Sequence, residues 1–565
     1  MKETVVKRKY NNLIWWFLLF SSFALGLFNE LASVAAGIAV AVLFFINVSV
    51  KKEIRINLSI EAIAFAVIPT AYIVTAIWGV DKFNSLLGFA KFFPVLLFLL
   101  LIMQLEKEHK EKLLSFVSVS GAVMTVSSFV LMQFDQLKDY FSVDGRISGF
   151  FQYSNTFALF LIIGIIINAF EEKFSTKNII VTAILVIGVF LTGSRTSFVL
   201  LILVVLAVML LSKNNKYKIA VAVIFAVGVL AGVTYYMISG HYGAVGRFLT
   251  TSLNSGTLQG RLLYFKDAIR IIAKHPFGLG YMGYYFLQGS FQTGVYSNQF
   301  VHNELLQLML DIGWIPALFV AGGIIKSLFS KNVSLKCKLV IAVISIHSML
   351  DFDLQFIIIM FILMMCLDFD GREVKIKLNK AFSVSYFAVT GVLIAVSLYL
   401  SLSSFCYVIS KSETAVSICQ SNTMAQIEML ERTEDINEKN EIADEIISNN
   451  KYVSNAYSAK ALYFYANGDI ENMIKNKSIA IENNKYFIDE YIDYCTILIE
   501  IINLYNDAGD YDSASYCCEQ LIKLNYTLQK VKENTDSIAY KLQDKPVLEL
   551  PSEYQKIIDS ISETY

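Results

Sequence analysis

Long apolar blocks separated by short polar linkers fill the first 407 of the 565 residues. A helix rises about 1.5 Å per residue and the hydrocarbon core of a bilayer is about 30 Å thick, so a spanning helix needs about 20 mostly apolar residues. Thirteen blocks approach this length, which predicts an all-α polytopic membrane protein with 12 or 13 spans. They run approximately over 12–28, 32–49, 58–79, 84–104, 113–133, 154–170, 178–192, 196–212, 217–238, 304–325, 338–350, 354–369 and 383–407.

The first block follows Lys7, Arg8 and Lys9, as in a signal peptide, but no small-residue cleavage site follows it. We therefore predict a retained helix. The blocks 178–192, 338–350 and 354–369 are the shortest, so these are the spans that we expect to be tilted or broken.

The linkers divide unequally between the two sides of the membrane. With the N-terminus in the cytosol, the linkers on the cytosolic side carry 23 Lys and Arg residues and those on the other side carry nine. Cytosolic linkers are the ones enriched in Lys and Arg. The pattern therefore predicts a cytosolic N-terminus and, with an odd number of spans, an extracytoplasmic C-terminal region.

Composition agrees with a membrane protein, since 55% of the residues are hydrophobic, 17% are charged and the mean hydropathy is +0.54. The net charge of −1 conceals two different parts. Residues 1–407 contain 33 basic and 21 acidic residues, whereas residues 408–565 contain 14 basic and 27 acidic residues. We predict a transmembrane domain over 1–407 and a helical domain over 408–565.

The C-terminal region contains two similar turns, Asn467-Gly468-Asp469 and Ala508-Gly509-Asp510, each between amphipathic segments. The segments resemble tetratricopeptide repeats, although the two glycines are 41 residues apart rather than 34. Such arrays commonly bind a protein partner, and a helical cap that only adds stability is the alternative. A disulfide from Cys495 to Cys517 or Cys518 is compatible with this region but not implied by it.

Charged groups within a bilayer are costly, so those kept near the membrane are candidates for function. Arg146 ends a polar loop and precedes the polar run that includes Asn155, and Arg195 lies in a tight turn. His347 and Asp351 flank another turn on the predicted outer side. Each has a structural alternative: an arginine can extend to lipid headgroups, and His347 and Asp351 can form a structural pair.

The longest outer linker covers about 239–303 and contains Arg247 and Arg261. Apolar residues at helical spacing over about 260–274, with Lys266, Arg270 and Lys274 on one stripe, predict an interfacial helix whose basic face binds headgroups. His302 then precedes Asn303, which we predict to be an N-cap. His109, His241 and His275 fit solvated or loop positions better than catalytic ones.

The order of these motifs resembles the O-antigen ligase and O-antigen polymerase superfamily. The resemblance covers about residues 140–370. It rests on Gly193-Ser194-Arg195, Gly260-Arg261, Pro276-Phe277-Gly278-Leu279-Gly280, His302-Asn303 and Leu310-Asp311-Ile312-Gly313-Trp314. One departure is Tyr264-Phe265 after Arg261, where the family often has a tryptophan.

The resemblance implies transfer of a glycan from a polyprenyl diphosphate to a hydroxyl of a glycan, lipid or protein acceptor, with no metal, other cofactor or nucleic acid. His302 would be the general base, and Arg195 and Arg261 would hold the diphosphate. Arg146, Asn155, Arg247, His347 and Asp351 would contribute to substrate binding. Ligase and polymerase stay open, because they differ only in the acceptor.

Two other classes of protein remain as alternatives. A flippase for lipid-linked oligosaccharides should carry polar residues through the bilayer centre and contain two similar halves. An envelope sensor would use the C-terminal region for binding, which leaves the Arg and His residues unexplained.

Overall fold

The computed structural model describes residues 2–171, 175–239, 246–247 and 256–564. The predicted all-α fold class is confirmed, because helices dominate and the described strands form two small two-stranded sheets. The helices of the first 408 residues are α1 (Lys2–Phe23), α2 (Glu30–Lys51), α3 (Ile60–Thr75), α4 (Lys82–Met103), α5 (Lys107–Leu113), α6 (Ser115–Leu131), α7 (Asp135–Phe141), α8 (Ser154–Ala169), α9 (Thr176–Thr192), α10 (Arg195–Leu211), α11 (Asn215–Ser239), α12 (Gly256–Lys274), α13 (Gly283–Phe291), α14 (Glu304–Ile312), α15 (Trp314–Phe329), α16 (Leu335–Ser348), α17 (Ile357–Cys366) and α18 (Lys380–Val408).

Most of the apolar blocks of the sequence overlap one of these helices. Within the described ranges, five helices are long and apolar enough to cross a membrane: Glu30–Lys51, Lys82–Met103, Lys107–Leu131, Asn215–Ile238 and Lys380–Val408. Six more apolar helices are shorter: α3, α8, α9, α10, α15 and α17. The protein is therefore a multi-pass membrane protein, and the side on which each terminus lies stays a prediction.

The tenth block, predicted as one span over 304–325, is instead two helices. Gly313, between α14 and α15, has φ +88°, a conformation that side-chain-bearing residues rarely adopt. The last turn of α14 is held by Asp311, whose carboxylate accepts hydrogen bonds from Tyr72 Oη and Gln307 Nε2, each at 2.8 Å. The break therefore has a buried polar support, and α14 is a short helix whose N-cap, Asn303, directly follows His302.

Two linkers pair as an antiparallel sheet. Strand β1 (Glu53–Leu58) pairs with β4 (Arg372–Lys377), with Glu53 opposite Lys377 and Leu58 opposite Arg372. The hydrogen bonds of such a ladder require both linkers to lie on the same side of the membrane. This agrees with the prediction that assigns them to one side. The second sheet is a tight hairpin of β2 (Ser142–Val143) and β3 (Arg146–Ile147).

The chain forms two compact units. The first contains residues 1–74, 87–252 and 302–401, and the second contains residues 75–86, 253–301 and 402–565. The second unit therefore combines the C-terminal helices with two segments of the predicted membrane domain, 75–86 and 253–301. Its C-terminal helices are α19 (Ser412–Ile418), α20 (Thr423–Arg432), α21 (Ile436–Asn449), α22 (Ser454–Ala466), α23 (Ile470–Asn483), α24 (Ile488–Asp507), α25 (Tyr511–Glu533) and α26 (Ser552–Thr564).

The two similar turns of the C-terminal region have the same geometry. Gly468 and Gly509 both have φ +73°. Asp469 and Asp510 each cap the next helix, accepting hydrogen bonds at 3.1 Å from the backbone N–H three residues on. The α22–α23 and α24–α25 hairpins therefore share one turn design, and their relation to tetratricopeptide repeats stays a prediction.

Candidate functional site

Arg146 is positioned by the β2–β3 hairpin at the start of β3. Its Nε donates to the backbone oxygen of Thr192 at 2.8 Å, and its Nη2 donates to Asn155 Oδ1 at 2.8 Å. The two bonds fix the plane of the guanidinium group. They also join the hairpin to the end of α9 and the start of α8.

Arg195 is the first residue of α10, after a turn that needs a glycine. Gly193 has φ +60°, and Ser194 caps the helix by accepting a hydrogen bond from Ser197 N. The Nε atom of Arg195 is buried and, within the described part of the chain, has no hydrogen-bond partner. A buried guanidinium N–H without an acceptor is destabilising. An anionic ligand that accepts this hydrogen bond would offset that cost.

Arg247 lies beside the same turn. A Cβ atom added to Gly193 would be 3.4 Å from Cγ of Arg146 and 3.6 Å from Nη1 of Arg247, so both arginines lie against this turn. Burial, and then the charge of Arg247, lower the pKa of Arg146 to about 10. Burial and then Arg195 lower the pKa of Arg247. The three arginines therefore form a cluster that is still cationic at neutral pH, and we name it the arginine cluster.

Asp351 is the centre of a second set of hydrogen bonds. Its Oδ1 accepts from Tyr153 Oη at 2.7 Å and from the backbone N–H of Phe352 at 3.1 Å. Its Oδ2 accepts from Asn155 Nδ2 at 2.7 Å. Asn155 thus bonds to Arg146 through its oxygen and to Asp351 through its nitrogen.

His302 lies next to this carboxylate. Its Nδ1 is 3.4 Å from Asp351 Oδ1, and its ring packs edge-on against Phe352, with 5.1 Å between centroids. The backbone of His302 has φ +57°, which is uncommon for a residue with a side chain. Asn303 follows as the N-cap of α14, accepting from Leu306 N at 3.0 Å, so the predicted cap is confirmed.

His347 has a different environment from the one expected. It is fully buried, its Nδ1 is 2.6 Å from Asp353 Oδ2, and its Nε2 is 3.0 Å from Ser197 Oγ. The carboxylate that bonds to Nδ1 of His347 is therefore that of Asp353. A serine, a histidine and an aspartate in contact suggest nucleophilic catalysis, but the burial of all three favours a structural link between α10 and α16.

The link is completed by two hydroxyl groups. Ser194 Oγ donates to Ser197 Oγ at 2.9 Å, and Thr156 Oγ1 donates to Asp353 Oδ1 at 2.7 Å. This network holds the turn that carries Arg195. Ser197, Thr156 and Tyr153 were not predicted as site residues from the sequence. Tyr153 does belong to the polar run that ends in Asn155.

Arg261 lies in the second unit, half-buried in the second turn of α12. The helix is anchored by Asp267, a buried carboxylate that accepts from Thr293 N at 2.9 Å, Thr293 Oγ1 at 2.9 Å and Tyr296 Oη at 2.9 Å. Burial raises the pKa of Asp267. The anchor fixes the segment of chain that carries Arg261.

The basic stripe of α12 makes contacts within its own unit. Lys266 pairs with Asp536, Arg270 is 3.3 Å from Asp267, and Lys274 lies over the ring of Phe291 at 4.8 Å. A helix is thus present where the sequence predicts one. Lys266 and Arg270 of the stripe therefore pair with carboxylates of their own unit, whereas the sequence predicts a basic face that binds headgroups; Lys274 stays exposed.

The fold and this site define a multi-pass helical membrane protein with a cationic cluster linked to a histidine and carboxylate pair. Residues 180–321 match the family model described as O-antigen ligase. The match includes Arg195, Arg261 and His302, and it confirms the resemblance to the O-antigen ligase superfamily. No curated protein matches the chain.

Proposed function

We propose that this protein is a glycosyltransferase that moves a glycan from a polyprenyl diphosphate to an acceptor hydroxyl at the outer face of the bacterial cytoplasmic membrane. The observation that carries the proposal is the continuous set of contacts from Arg146 through Asn155 and Asp351 to His302. These contacts connect an arginine, whose charge can stabilise an anionic leaving group, with a histidine, which can take a proton from the acceptor hydroxyl.

The arginine cluster suits a diphosphate. Departure of a lipid diphosphate develops negative charge, which guanidinium groups stabilise through paired, charge-assisted hydrogen bonds. Within the described part of the chain, no carboxylate lies within salt-bridge distance of Arg195, and its Nε has no acceptor. A donor diphosphate would supply that acceptor. Arg261 is proposed as a further diphosphate ligand because it falls within the segment that matches the family.

His302 and Asp351 suit proton removal. A carboxylate at Nδ1 favours the tautomer with the proton on that nitrogen, which makes Nε2 the basic atom. The separation of 3.4 Å is long for a hydrogen bond, as catalytic contacts often are before substrate binds. The side chain of Asp351 is 2% exposed and that of His302 is 22% exposed, so the carboxylate is enclosed while the imidazole reaches the surface.

The reaction then needs no covalent intermediate on the protein. The acceptor oxygen attacks the anomeric carbon while its proton passes to Nε2 of His302. The bond from that carbon to the diphosphate oxygen breaks, and its electron pair leaves with the lipid diphosphate. The anion remains with the arginine cluster until the product lipid departs.

The acceptor decides between a ligase and a polymerase, and both fit this site. The acidic C-terminal helices are proposed to bind the acceptor or an assembly partner, since helical arrays of this kind commonly bind proteins. Tyr153, which bonds to Asp351, is proposed to help position the sugar next to His302.

A transfer assay with matched donors tests the proposal. The full-length protein in vesicles is given an acceptor and either a polyprenyl diphosphate oligosaccharide or the corresponding monophosphate. Transfer is expected from the diphosphate and not from the monophosphate, which is a poorer leaving group and offers fewer oxygens to the arginine cluster. Movement of donor across the vesicle membrane without any transfer would instead support the flippase alternative.

A further inference from the structure

A groove in the second unit lies outside the proposed catalytic residues. Two adjoining depressions of about 350 and 340 Å³ share Trp78, His275 and Gly278. The loops that form them are tied together: Trp78 Nε1 donates to Gly278 O at 3.2 Å, and Val80 N donates to Leu279 O at 2.8 Å. The groove is therefore a formed feature of the fold.

The apolar side of this groove is exposed. Of its lining residues, Phe277 is 66% exposed and Trp78 is 49% exposed, and Ile77, next to Trp78 in the chain, is 79% exposed. Residues 76–81 connect two apolar helices, α3 and α4. A connection only a few residues long between two spans must lie at the membrane surface, the depth at which tryptophan is enriched. These side chains are exposed on the protein, so they can contact lipid.

The polar side of the groove is basic. Lys274 and Lys451 are both exposed, and each lies near an aromatic ring, Phe291 at 4.8 Å and Tyr452 at 5.4 Å. The pKa of His275 is lowered by burial and then by the charges of Lys274 and Lys451. Both ammonium groups are therefore near the imidazole of His275. Across the described residues, neither lysine has a carboxylate within salt-bridge distance.

We propose that this groove binds the phosphodiester headgroup of an anionic phospholipid from the surrounding bilayer. Lys274 and Lys451 contact the phosphate, while Trp78 and Phe277 lie against the glycerol and the first acyl carbons. Charge complementarity selects an anionic headgroup, because each basic residue near a membrane surface favours anionic lipid. The exposed aromatic side chains select a ligand that has an apolar part, which a free phosphate lacks.

Native mass spectrometry of the full-length protein in detergent tests this. Phosphatidylglycerol and phosphatidylcholine with the same acyl chains are titrated separately, and the population with bound lipid is measured. The variant Lys274→Gln/Lys451→Gln removes both cations at exposed positions. The control Lys545→Gln/Lys556→Gln makes the same change of charge at exposed positions of the same unit that lie outside the groove.

Wild type and control are expected to prefer phosphatidylglycerol, and the Lys274→Gln/Lys451→Gln variant to lose about fivefold affinity per lysine. Trp78→Ala should weaken both lipids. The proposal is overturned if the two lipids bind equally to wild type, if the control loses as much as the groove variant, or if soluble glycerol phosphate displaces the lipid at equal concentration. Binding of an anionic polysaccharide that depends on both lysines, with phosphatidylglycerol unaffected, would identify a glycan site instead.

Discussion

Nδ1 of His302 lies 3.4 Å from Oδ1 of Asp351, and the backbone of His302 is held at φ +57°. For a residue with a side chain, this backbone conformation costs of order 1 kcal/mol or more, and contacts with the surrounding residues must offset that cost. The N-cap formed by Asn303 and the packing against Phe352 supply those surroundings. The backbone conformation and the carboxylate of Asp351 therefore both orient the imidazole of His302. This motivates the first prediction.

His302→Asn should lower turnover by about 10²- to 10⁴-fold, the usual contribution of a general base. Asparagine tolerates a positive φ, so the backbone should persist while the base is lost. Donor binding should change little, because the base acts mainly in the transition state. Turnover and donor binding would be measured on the same purified preparation.

Asp351→Asn serves as the companion change and should reduce turnover less than His302→Asn. It keeps an acceptor for Tyr153 and removes the charge that favours the Nδ1-protonated tautomer. Normal turnover by His302→Asn would remove His302 from the mechanism.

Arg195→Lys should reduce donor binding and turnover by at least tenfold although the charge is kept. An ammonium group cannot reproduce the planar, two-point contact of a guanidinium group with a diphosphate. The matched control is Arg432→Lys, at an exposed helix position where the arginine pairs with Glu428. A lysine at 195 that binds donor as well as wild type would show that Arg195 does not hold the diphosphate.

Asp267→Ala should lower kcat/KM for donor by at least tenfold through Arg261, because both residues lie on α12 and Asp267 accepts the hydrogen bonds that hold this helix. Here Asp267 is a positioning residue. The loss should appear mainly in the KM for donor, and thermal unfolding of the variant is measured in parallel. A variant that is less stable but catalytically normal would show that the anchor has no role in positioning Arg261.

The native thiols of the C-terminal helices should resist alkylation in the folded protein. Burial raises the pKa of Cys495 to about 12 and that of Cys517 to about 11. Mass spectrometry after treatment with maleimide at pH 8 should find both unmodified until denaturant is added.

The same shifts predict a loss of stability at high pH. Above about pH 9 the unfolded chain releases thiol protons that the folded chain retains until about pH 11, so the free energy of unfolding falls as pH rises through this range. Replacing both thiols with alanine should remove that part of the pH dependence. An unfolding free energy that is flat from pH 9 to pH 11 in wild type would contradict the prediction.

Topology can be tested with single cysteines in a background without native ones. Positions 256 and 455 are exposed, and cysteines there should react in intact cells with a membrane-impermeant maleimide. A cysteine at the exposed position 213 should not react until the membrane is permeabilised. Labelling at position 213 alone would reverse the orientation and place the proposed site on the cytosolic side.

The hydrophobic pattern was sufficient to predict the helices, because the length of a span and the cost of unpaired backbone in lipid leave few alternatives. It could not predict the break at Gly313, since the block 304–325 is apolar enough for one continuous helix and the support comes from Tyr72, which is distant in sequence. Turn chemistry is local, so the Asn303 cap and the two Gly-Asp turns could be predicted.

The sequence by itself determined which residues could carry chemistry, since few charged groups remain near the membrane and their order resembles a family. Only the tertiary structure decided which of them meet. It brought Arg146, Arg195 and Arg247 to one turn and His302 to Asp351, and it paired His347 with Asp353. It also paired Lys266 and Arg270 of the α12 stripe with carboxylates of their own unit. The physical reason is that the arginine cluster and the contact of His302 with Asp351 join residues far apart along the chain, and the packing that brings them together has no signature in local periodicity.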